Sequence, residues 1–402
     1  MKQFILLSSL LFLFIGTLFS CQSMTDDQLR QKAVRLAREY VMVDGHVDIP
    51  YRLHSRYEDI SKRTPRGDFD YVRAKEGGLD APFMSIYVPS NRENNGAKAL
   101  ADTLIDMVNG FEKQWPDKYA VATSVDAVRA QFKKGLISLP LGMENGSPIE
   151  GDLANVKYFY DRGIRYITLT HGKDNHICDS SYDTTRTWKG LSSFGRKVVE
   201  EMNRVGIMVD VSHISDDAFY QVMEISKAPA IASHSSCRHF TPGFERNMSD
   251  DMIRLLAKNG GVIMINYGSS FLSKEYQDKE DKVRPEIRDF MRKNNLSFGD
   301  PKLDEFIATV SKKHNLRNVD ISLVADHIDH VVKLVGIDYV GLGSDFDGVG
   351  PSLPVGLEDA SKMPNLIYLL LKRGYSDGDI KKICGENALR VWSKVEELAR
   401  KG

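Results

Sequence analysis

Eight short apolar segments recur along the chain, and several of them are separated by stretches with the periodicity of amphipathic helices. The segments are nearly continuous rather than alternating runs of apolar residues, which is typical of parallel strands buried on both faces. They lie near residues 40–46, 83–88, 136–144, 165–171, 206–213, 228–234, 260–267 and 338–347. Eight such repeats predict an α/β fold, the (β/α)8 or TIM barrel. The length of 402 residues suits one barrel with insertions.

One connection, between the seventh and eighth strands, is much longer than the others. It covers residues 268–335 and includes the charged run KEYQDKEDKVRPEIRDFMRKNN. A connection of this length is usually functional or separately folded. We therefore predict a long helical insertion that lies over the barrel mouth. For its charged part, a solvated decoration far from the site is the alternative.

Polar side chains stand at the ends of six of the eight predicted strands. The C-terminal ends of barrel strands meet at one mouth, where barrel enzymes place their chemistry. His46 and Asp48 are two positions apart, so they point to the same side of an extended chain. The other members of the set are Glu144, His171, His213, His234 and Asp345. Each alone has an ordinary explanation, such as a helix cap or a turn, but together they indicate one shared site.

Imidazoles and carboxylates in these numbers suit metal ions. They are too many for one tetrahedral zinc, and they suit two ions about 3.5–4 Å apart that share a bridging carboxylate and a hydroxide. Zinc is the expected metal, with manganese and cobalt as alternatives. The other histidines are interpreted as structural, because they lack the HExxH pattern or supporting partners; they are His54, His176, His239, His314, His327 and His330.

The first residues, MKQFILLSSLLFLFIGTLFSC, differ from the rest of the chain. Lys2 followed by a long apolar stretch and Ser20 is typical of a secretory signal. The ending LFSC resembles a bacterial lipobox, so we predict a lipoprotein signal peptide at 1–20 and lipidation at Cys21. A plain cleaved signal or an uncleaved anchor is the alternative. Residues 21–39 are then a tether and leading helix, and residues 40–398 are the barrel.

Charge and cysteine content narrow the range of functions. A formal net charge of −1 gives no basic excess for binding nucleic acid. After Cys21 only three cysteines remain, so at most one internal disulfide is possible. A membrane contact is expected only through the N-terminal lipid anchor. The protein is expected to be exported, and the outer membrane is its predicted location.

The motifs around these residues resemble those of the membrane (renal-type) dipeptidases, metallopeptidase family M19, within the amidohydrolase-like barrels. The matching segments are VDGHVDIP, GMEN, RGIRYITLTHG, GLSSFGRKVVEEMNRVGIMVDVSHIS, PAIASHSSCR, RNMSDDMIRLLAKNGGVIMINY, VGLGSDFDGV and GENALRVW. An HxD pair opens the site where most amidohydrolases have HxH. A glutamate replaces the carboxylated lysine that often bridges the two metals.

The resemblance implies a dipeptidase with two Zn2+ per chain. By likeness of motif, His46 and Asp48 bind the first zinc. His213 and His234 bind the second zinc, and Glu144 bridges both.

The resemblance also implies how the substrate binds and reacts. His171 contacts the substrate and helps to stabilise the oxyanion, while Arg246 holds the free carboxylate. Asp345 hydrogen-bonds the bridging hydroxide that attacks the substrate and passes a proton to the leaving amine. Family members cleave dipeptides, tolerate a C-terminal D-residue, and in some cases open β-lactams. The family habit is a homodimer.

Three segments depart from the family pattern. NGSPIEGD follows the Glu144 strand, GKDNHICDSSYD follows His171, and Asn266, Tyr267 and Gly268 follow the seventh strand. These departures concern the shape of the substrate pocket, since none of them is an expected metal ligand. Two rival hypotheses remain: another amide, lactam or lactone hydrolase or a deaminase on the same barrel, and a binding lipoprotein without catalysis.

Overall fold

Eight parallel strands form a closed barrel in the part of the chain that the computed structural model describes, residues 24–296 and 300–401. In chain order the strands are β1 (Val43–Val47), β2 (Ala81–Tyr87), β3 (Tyr119–Val121), β4 (Ile137–Leu139), β5 (Leu141–Glu144), β6 (Ile164–Thr168), β7 (Met208–Asp210), β8 (Ile231–Ala232), β9 (Val262–Ile265) and β10 (Val340–Leu342). Their order around the barrel is β1-β10-β9-β8-β7-β6-β5-β2. The predicted TIM barrel is confirmed, and each predicted apolar segment supplies one barrel strand.

The segment at 136–144 is two strands rather than the single strand that its apolar run predicts. Pro140 separates β4 from β5, because proline has no backbone N–H to donate to a sheet. Only β5 joins the barrel. The strands β3 and β4 pair in parallel with each other in a separate two-stranded sheet. β3 is a strand that the sequence analysis did not predict.

Helices follow most of the barrel strands. In chain order they are α1 (Asp26–Glu39), α2 (Ile49–Ser55), α3 (Tyr71–Gly77), α4 (Ala97–Gln114), α5 (Val125–Lys133), α6 (Ala154–Asp161), α7 (Ser193–Val205), α8 (Asp216–Ile225), α9 (Asp250–Lys258), α10 (Ser269–Leu272), α11 (Lys274–Asn294), α12 (Pro301–Lys313), α13 (Ser322–Val335), α14 (Met363–Lys372), α15 (Asp377–Lys381) and α16 (Asn387–Lys401). A π-helical turn, Lys382–Glu386, joins the last two.

Local sequence signals explain where several helices begin and end. The Ser192 side chain accepts a hydrogen bond from the Gly195 N–H at the start of α7, and left-handed Gly206 (φ 94°) ends it. Thr25 and Gln28 form a reciprocal capping box at the start of α1. The amphipathic stretches that the sequence predicts as helices are therefore helices with ordinary caps.

Large apolar side chains fill the barrel at the end away from the polar strand ends. The Phe83 ring packs against Tyr166 and against Trp392 of α16, with centroid distances of 5.2 and 5.4 Å. Trp392 is only 1% exposed, so α16 closes this end of the barrel. At Gly343 a Cβ would lie 2.2 Å from the Ser233 carbonyl oxygen, so only glycine fits this close approach.

The barrel closes where the first strand meets the last. β1 and β10 register through a single residue pair, Asp44 with Leu342. The Asp44 carboxylate adds a hydrogen bond from the Ser344 N–H at 2.9 Å, between residues 300 positions apart. Beyond the strand ends, the Asp345 N–H donates to the His46 carbonyl oxygen at 3.1 Å. We call this junction the closing seam.

The long insertion is helical, as predicted, and consists of α10 to α13. Its first part borders the barrel mouth. Phe271 of α10 lies under the Arg246 guanidinium at 5.3 Å, and Gln277 and Arg284 of α11 line a cavity with Tyr182 at the rim of the mouth. Most of the other charged side chains of α11 are exposed or half-buried. The insertion therefore combines a wall of the mouth with a solvated surface.

The predicted signal peptide and Cys21 lie outside the described residues. Within those residues, no helix is both long and apolar enough to span a lipid bilayer. Cys178, Cys237 and Cys384 are buried free thiols.

Candidate active site

The barrel places every predicted metal-binding, catalytic and substrate-binding residue at one mouth. His46 is in β1 and Glu144 is the last residue of β5. Arg246 lies further along the loop after β8, and the residues that follow their strands by one to three positions are Asp48, His171, His213, His234 and Asp345. His213 and Asp345 turn sharply there, with left-handed φ angles of 70° and 62°. Such angles are uncommon outside glycine and often mark functional sites. They let a strand end while its next side chain still faces the mouth.

Glu144 lies at the centre of the site. Its Oε1 is 3.1 Å from His213 Nε2 and 3.3 Å from His234 Nε2. The same oxygen lies 3.6 Å from His171 Nε2, and the other oxygen, Oε2, lies 3.4 Å from His46 Nε2. One carboxylate therefore faces four imidazoles, with a different oxygen towards the His46 side.

Three overlapping groups of donor atoms have the compactness that a metal ion needs. They are His46 with Glu144 and His234, Glu144 with His171 and His213, and His46 with Asp48 and Asp345. Glu144 belongs to two groups, which is the arrangement of a bridging ligand. His171, predicted as a substrate contact, also belongs to one of these groups.

The donor atoms fit a metal centre better than a hydrogen-bonded network. His46 Nε2 and Asp48 Oδ1 are buried without hydrogen-bond partners, a costly state unless something binds them. The Nε2 atoms of His213 and His234 face each other at 2.9 Å. Neutral imidazoles and carboxylates are typical ligands of zinc.

Burial and mutual charge set the protonation of this cluster. Burial alone would raise the pKa of Glu144, but His46 and His171 hold that pKa well below its usual range. Burial lowers the pKa of His213 and His234 well below the usual value, so both are neutral. Glu144 is therefore ionised, and His213 and His234 are neutral, which are the protonation states that bind metals.

Asp345 differs from the other carboxylates. Its Oδ2 accepts a hydrogen bond from Asn266 Nδ2 at 2.7 Å. Burial and the neighbouring Asp48 raise the pKa of Asp345 to about 7. A carboxyl group in such surroundings exchanges a proton near neutral pH.

Two hydrogen-bond contacts behind the cluster were missed in the sequence analysis. His46 Nδ1 lies 2.8 Å from the hydroxyl of Tyr166, and His234 Nδ1 lies 2.7 Å from Ser233 Oγ. Ser233 Oγ in turn donates to Asp210 at 2.6 Å. Such contacts fix which ring nitrogen faces a metal. Tyr166 lies in β6 and Ser233 follows β8, and neither belongs to a motif of metal-binding residues that would have identified it.

Arg246 lies beside the cluster and is 3% exposed. Its Nη1 donates to Ser235 Oγ at 2.7 Å and its Nη2 donates to the His234 carbonyl oxygen at 2.8 Å. Its Nε is buried without a partner. The guanidinium is therefore held rigidly, with capacity left for an anionic ligand.

The mouth opens beside Arg246 into a cavity of about 360 Å³. Tyr182 stands between the two, with its ring 5.9 Å from His213 and 6.1 Å from Phe244. The other lining residues are Pro242, Gly243, Lys274, Gln277, Asp281 and Arg284. The Tyr182 side chain therefore separates this cavity from the histidine cluster.

Comparison with known families agrees with this arrangement. Residues 30–402 match the family model described as membrane dipeptidase (peptidase family M19). Mouse dipeptidase 3 is 33% identical over 386 residues, covering 94% of this chain and 69% of the mouse protein.

Solved structures with the same architecture include the probable dipeptidase PvdM of Pseudomonas aeruginosa. It has a TM-score of 0.79 and 27% identity, and the match covers 93% of this chain and 100% of PvdM. A Rhodobacter sphaeroides metallopeptidase, crystallised with a phosphinate mimic of L-Ala-D-Ala, has a TM-score of 0.73 and 24% identity, over 89% of this chain and 99% of that one. At that identity the second likeness concerns the fold alone.

Proposed function

The chain belongs to the membrane dipeptidase family, peptidase family M19, and is a metallodipeptidase; on that premise we propose that it is an exported zinc enzyme that cleaves dipeptides at the mouth described above. The observation that carries this proposal is the convergence of four imidazoles on Glu144 beside a buried arginine. Two zinc ions per chain account for the number of donors and for the shared position of Glu144.

In this proposal, His46 and Asp48 would hold one zinc, His213 and His234 would hold the other, and Glu144 would be a ligand shared by both. Bound zinc supplies Lewis acidity, which activates water near neutral pH and polarises a carbonyl group. The protein keeps these ligands in place through Tyr166 and the Ser233–Asp210 pair. The water-excluding burial of the cluster strengthens its electrostatic interactions.

Three further side chains act on the substrate. Arg246 binds the free C-terminal carboxylate, which limits the enzyme to substrates with one residue after the scissile bond. His171 donates a hydrogen bond to the carbonyl oxygen as negative charge develops there. Asp345 accepts a proton from the attacking water and delivers it to the leaving amine.

Tolerance of a C-terminal D-residue is part of the proposal. Inverting the configuration of the C-terminal residue exchanges the positions of the hydrogen and the side chain on its Cα, while the carboxylate stays on Arg246. The cavity beside Tyr182 and Phe244 gives the displaced side chain somewhere to go. Both configurations are therefore accommodated without moving the scissile amide.

Export and anchoring rest on the N-terminal sequence. We propose that residues 1–20 direct export, that lipidated Cys21 holds the mature protein at the outer membrane, and that the chain forms a homodimer. Radiolabelled palmitate should be incorporated by the wild-type protein and not by Cys21→Ala.

The first test combines metal content with hydrolysis of Gly-D-Ala and Gly-L-Ala by the purified protein, before and after treatment with a chelator. We expect two zinc ions per chain and cleavage of both dipeptides that is lost on chelation and restored by zinc. Metal without dipeptide cleavage would favour another amide, lactam or lactone hydrolase. Absence of metal from protein purified with zinc would favour a non-catalytic binding lipoprotein.

A further inference from the structure

A second group of metal-competent side chains lies outside the barrel mouth. His239 is in the turn Arg238–Phe240 after β8, Asp250 is the first residue of α9, and His330 is in the middle of α13. One donor atom from each of these three residues lies within 4.8 Å of the other two. We propose that these three side chains bind a divalent transition-metal ion, with zinc as the probe, independently of the active site.

The contacts among the three residues define the site. His330 Nε2 lies 2.8 Å from Asp250 Oδ1. The His239 and His330 rings stack, with centroids 4.4 Å apart. His239 is exposed, whereas Asp250 and His330 are half-buried. An ion can therefore reach the group from solvent, and water can complete its coordination.

The packing of His239 on His330 is compatible with a bound ion. Two stacked imidazoles cannot both be protonated without like-charge repulsion, whereas a metal ion needs both in the neutral form. The Asp250 carboxylate then compensates the charge of the ion. Two nitrogens and one carboxylate oxygen form a borderline donor set that suits zinc. Binding requires only that the exposed His239 ring turn out of the stack, so that its ring plane contains the ion.

Another histidine–carboxylate pair in the described residues lacks the second imidazole that this site has. His314 Nε2 lies 3.3 Å from Glu286, also at the surface. That pair has a lysine as its neighbour, Lys313, rather than a second imidazole. It therefore provides a matched control, an exposed pair of the same type that cannot supply a third ligand.

An ion at this position would stabilise the loop that carries Arg246. The loop already contacts α13 from inside, where the Cys237 N–H donates to His327 Nδ1 at 3.0 Å. The Phe240 ring packs against His327 with centroids 4.3 Å apart. The ion would add a second, outer link from the loop to α9 and α13. Because metal binding to the folded state alone raises stability by mass action, the melting temperature should rise with zinc.

The test counts zinc per chain by mass spectrometry after equilibration at nanomolar and at micromolar free zinc. Wild type should gain one further ion at the higher concentration, and its melting temperature should rise in parallel. His239→Asn, His330→Gln and Asp250→Asn should each abolish that gain and the temperature shift. His314→Gln should behave as wild type. The circular dichroism spectrum of each variant in chelator checks that it folds.

The inference is wrong if wild type takes up no further ion between the two concentrations. It is equally wrong if the three variants gain the ion as wild type does, or if His314→Gln loses it. None of these readouts depends on dipeptide hydrolysis. Failure of the proposed activity is therefore distinguishable from failure of this site.

Discussion

The two ends of the barrel are equally buried and chemically opposite. At the closed end, Phe83, Tyr166 and Trp392 pack ring against ring. At the mouth, imidazoles surround a carboxylate, and His234 is as inaccessible as Trp392, each at 1% exposure. Burial alone therefore does not separate the structural end from the functional one. What separates them is the kind of group that is buried, which is aromatic rings at the closed end and ionisable side chains at the mouth.

This difference shows how the molecule divides its tasks. Removal of apolar surface from water at the closed end stabilises the fold by roughly 25 cal/mol per Å². The mouth instead buries ionisable groups, several with unpartnered atoms, which costs stability in the absence of a ligand. Substitutions at the mouth should therefore change metal binding and rate, while those at the closed end should change stability.

The largest effect is expected for Glu144→Gln. A neutral amide cannot bridge two cations, so we expect loss of zinc and a decrease in kcat/KM beyond the roughly 10²–10⁴-fold range of a single acid–base group. Unfolding by denaturant in the presence of chelator should stay close to wild type. Metal analysis with dipeptide kinetics measures the first effect. A large loss of stability instead would mean that Glu144 has a mainly structural role, as the residues of the closed end do.

Asp345→Asn should separate metal binding from turnover. The amide can keep a hydrogen bond with Asn266 but cannot carry the proton, so kcat should fall by about 10²–10⁴-fold. Zinc content should be that of wild type. Near-normal turnover in this variant would contradict the proton-transfer role.

Trp392→Ala tests the closed end. Removal of a fully buried indole should decrease the free energy of unfolding by about 3–5 kcal/mol, as measured by denaturant titration. The folded fraction should bind zinc and cleave dipeptides as wild type does. Tyr220→Ala, at a 45% exposed aromatic residue on α8, is the control and should have a small effect.

Tyr166→Phe examines the boundary between the two ends, because the ring of Tyr166 packs on Phe83 while its hydroxyl contacts His46. We expect a decrease in zinc affinity of about 10–100-fold with little loss of stability. Chelator competition measures the affinity. Tyr119→Phe is a matched control, since the Tyr119 hydroxyl donates to the Ile60 carbonyl oxygen away from the site. If both variants bind zinc equally well, the Tyr166 hydroxyl does not position His46.

Asp80→Asn should have the smallest effect. Burial raises the pKa of Asp80, which lies just before β2, to about 7 from an ordinary 3.8. The ionised form therefore destabilises the fold above pH 7, and this cost decreases as the pH falls from 7 towards the ordinary pKa of 3.8, below which both states are protonated. The variant should be more stable than wild type above pH 7 by about 1–3 kcal/mol, and equal to it below pH 4. Asp117→Asn, at an exposed position, is the control for the substitution itself.

The sequence predicted most of the residues that form the site, but fewer of the residues that hold them in position. Strand ends of a parallel barrel converge wherever the strands lie in the chain, so His46, Glu144 and Asp345 were predictable as neighbours. Contacts between the middles of strands depend on register, which an apolar run does not encode. The Tyr166–His46 contact joins residues 120 positions apart and depended on that register.

Backbone details were unpredictable for a similar reason. Pro140 lies inside an apolar run that reads as one strand, and only the competition between two sheets shows where the run divides. The direction of α11 is set by packing of a few residues, such as Tyr276 and Val283, among many charged ones. A sequence pattern dominated by solvated charges gives little information about which face of the helix packs against the rest of the protein.

The closing seam has a consequence for how the chain folds. Asp48 and Asp345 come to lie beside each other only when the first and last strands pair, across a loop of almost the entire barrel. Contacts so distant in sequence are slow to form, because the entropy of loop closure opposes them until the rest of the structure is in place. A nascent chain that ends before β10 already contains all four site imidazoles, but it lacks the pairing that closes the ring. Productive binding of a substrate at the mouth therefore requires the closed ring, and not only the four imidazoles.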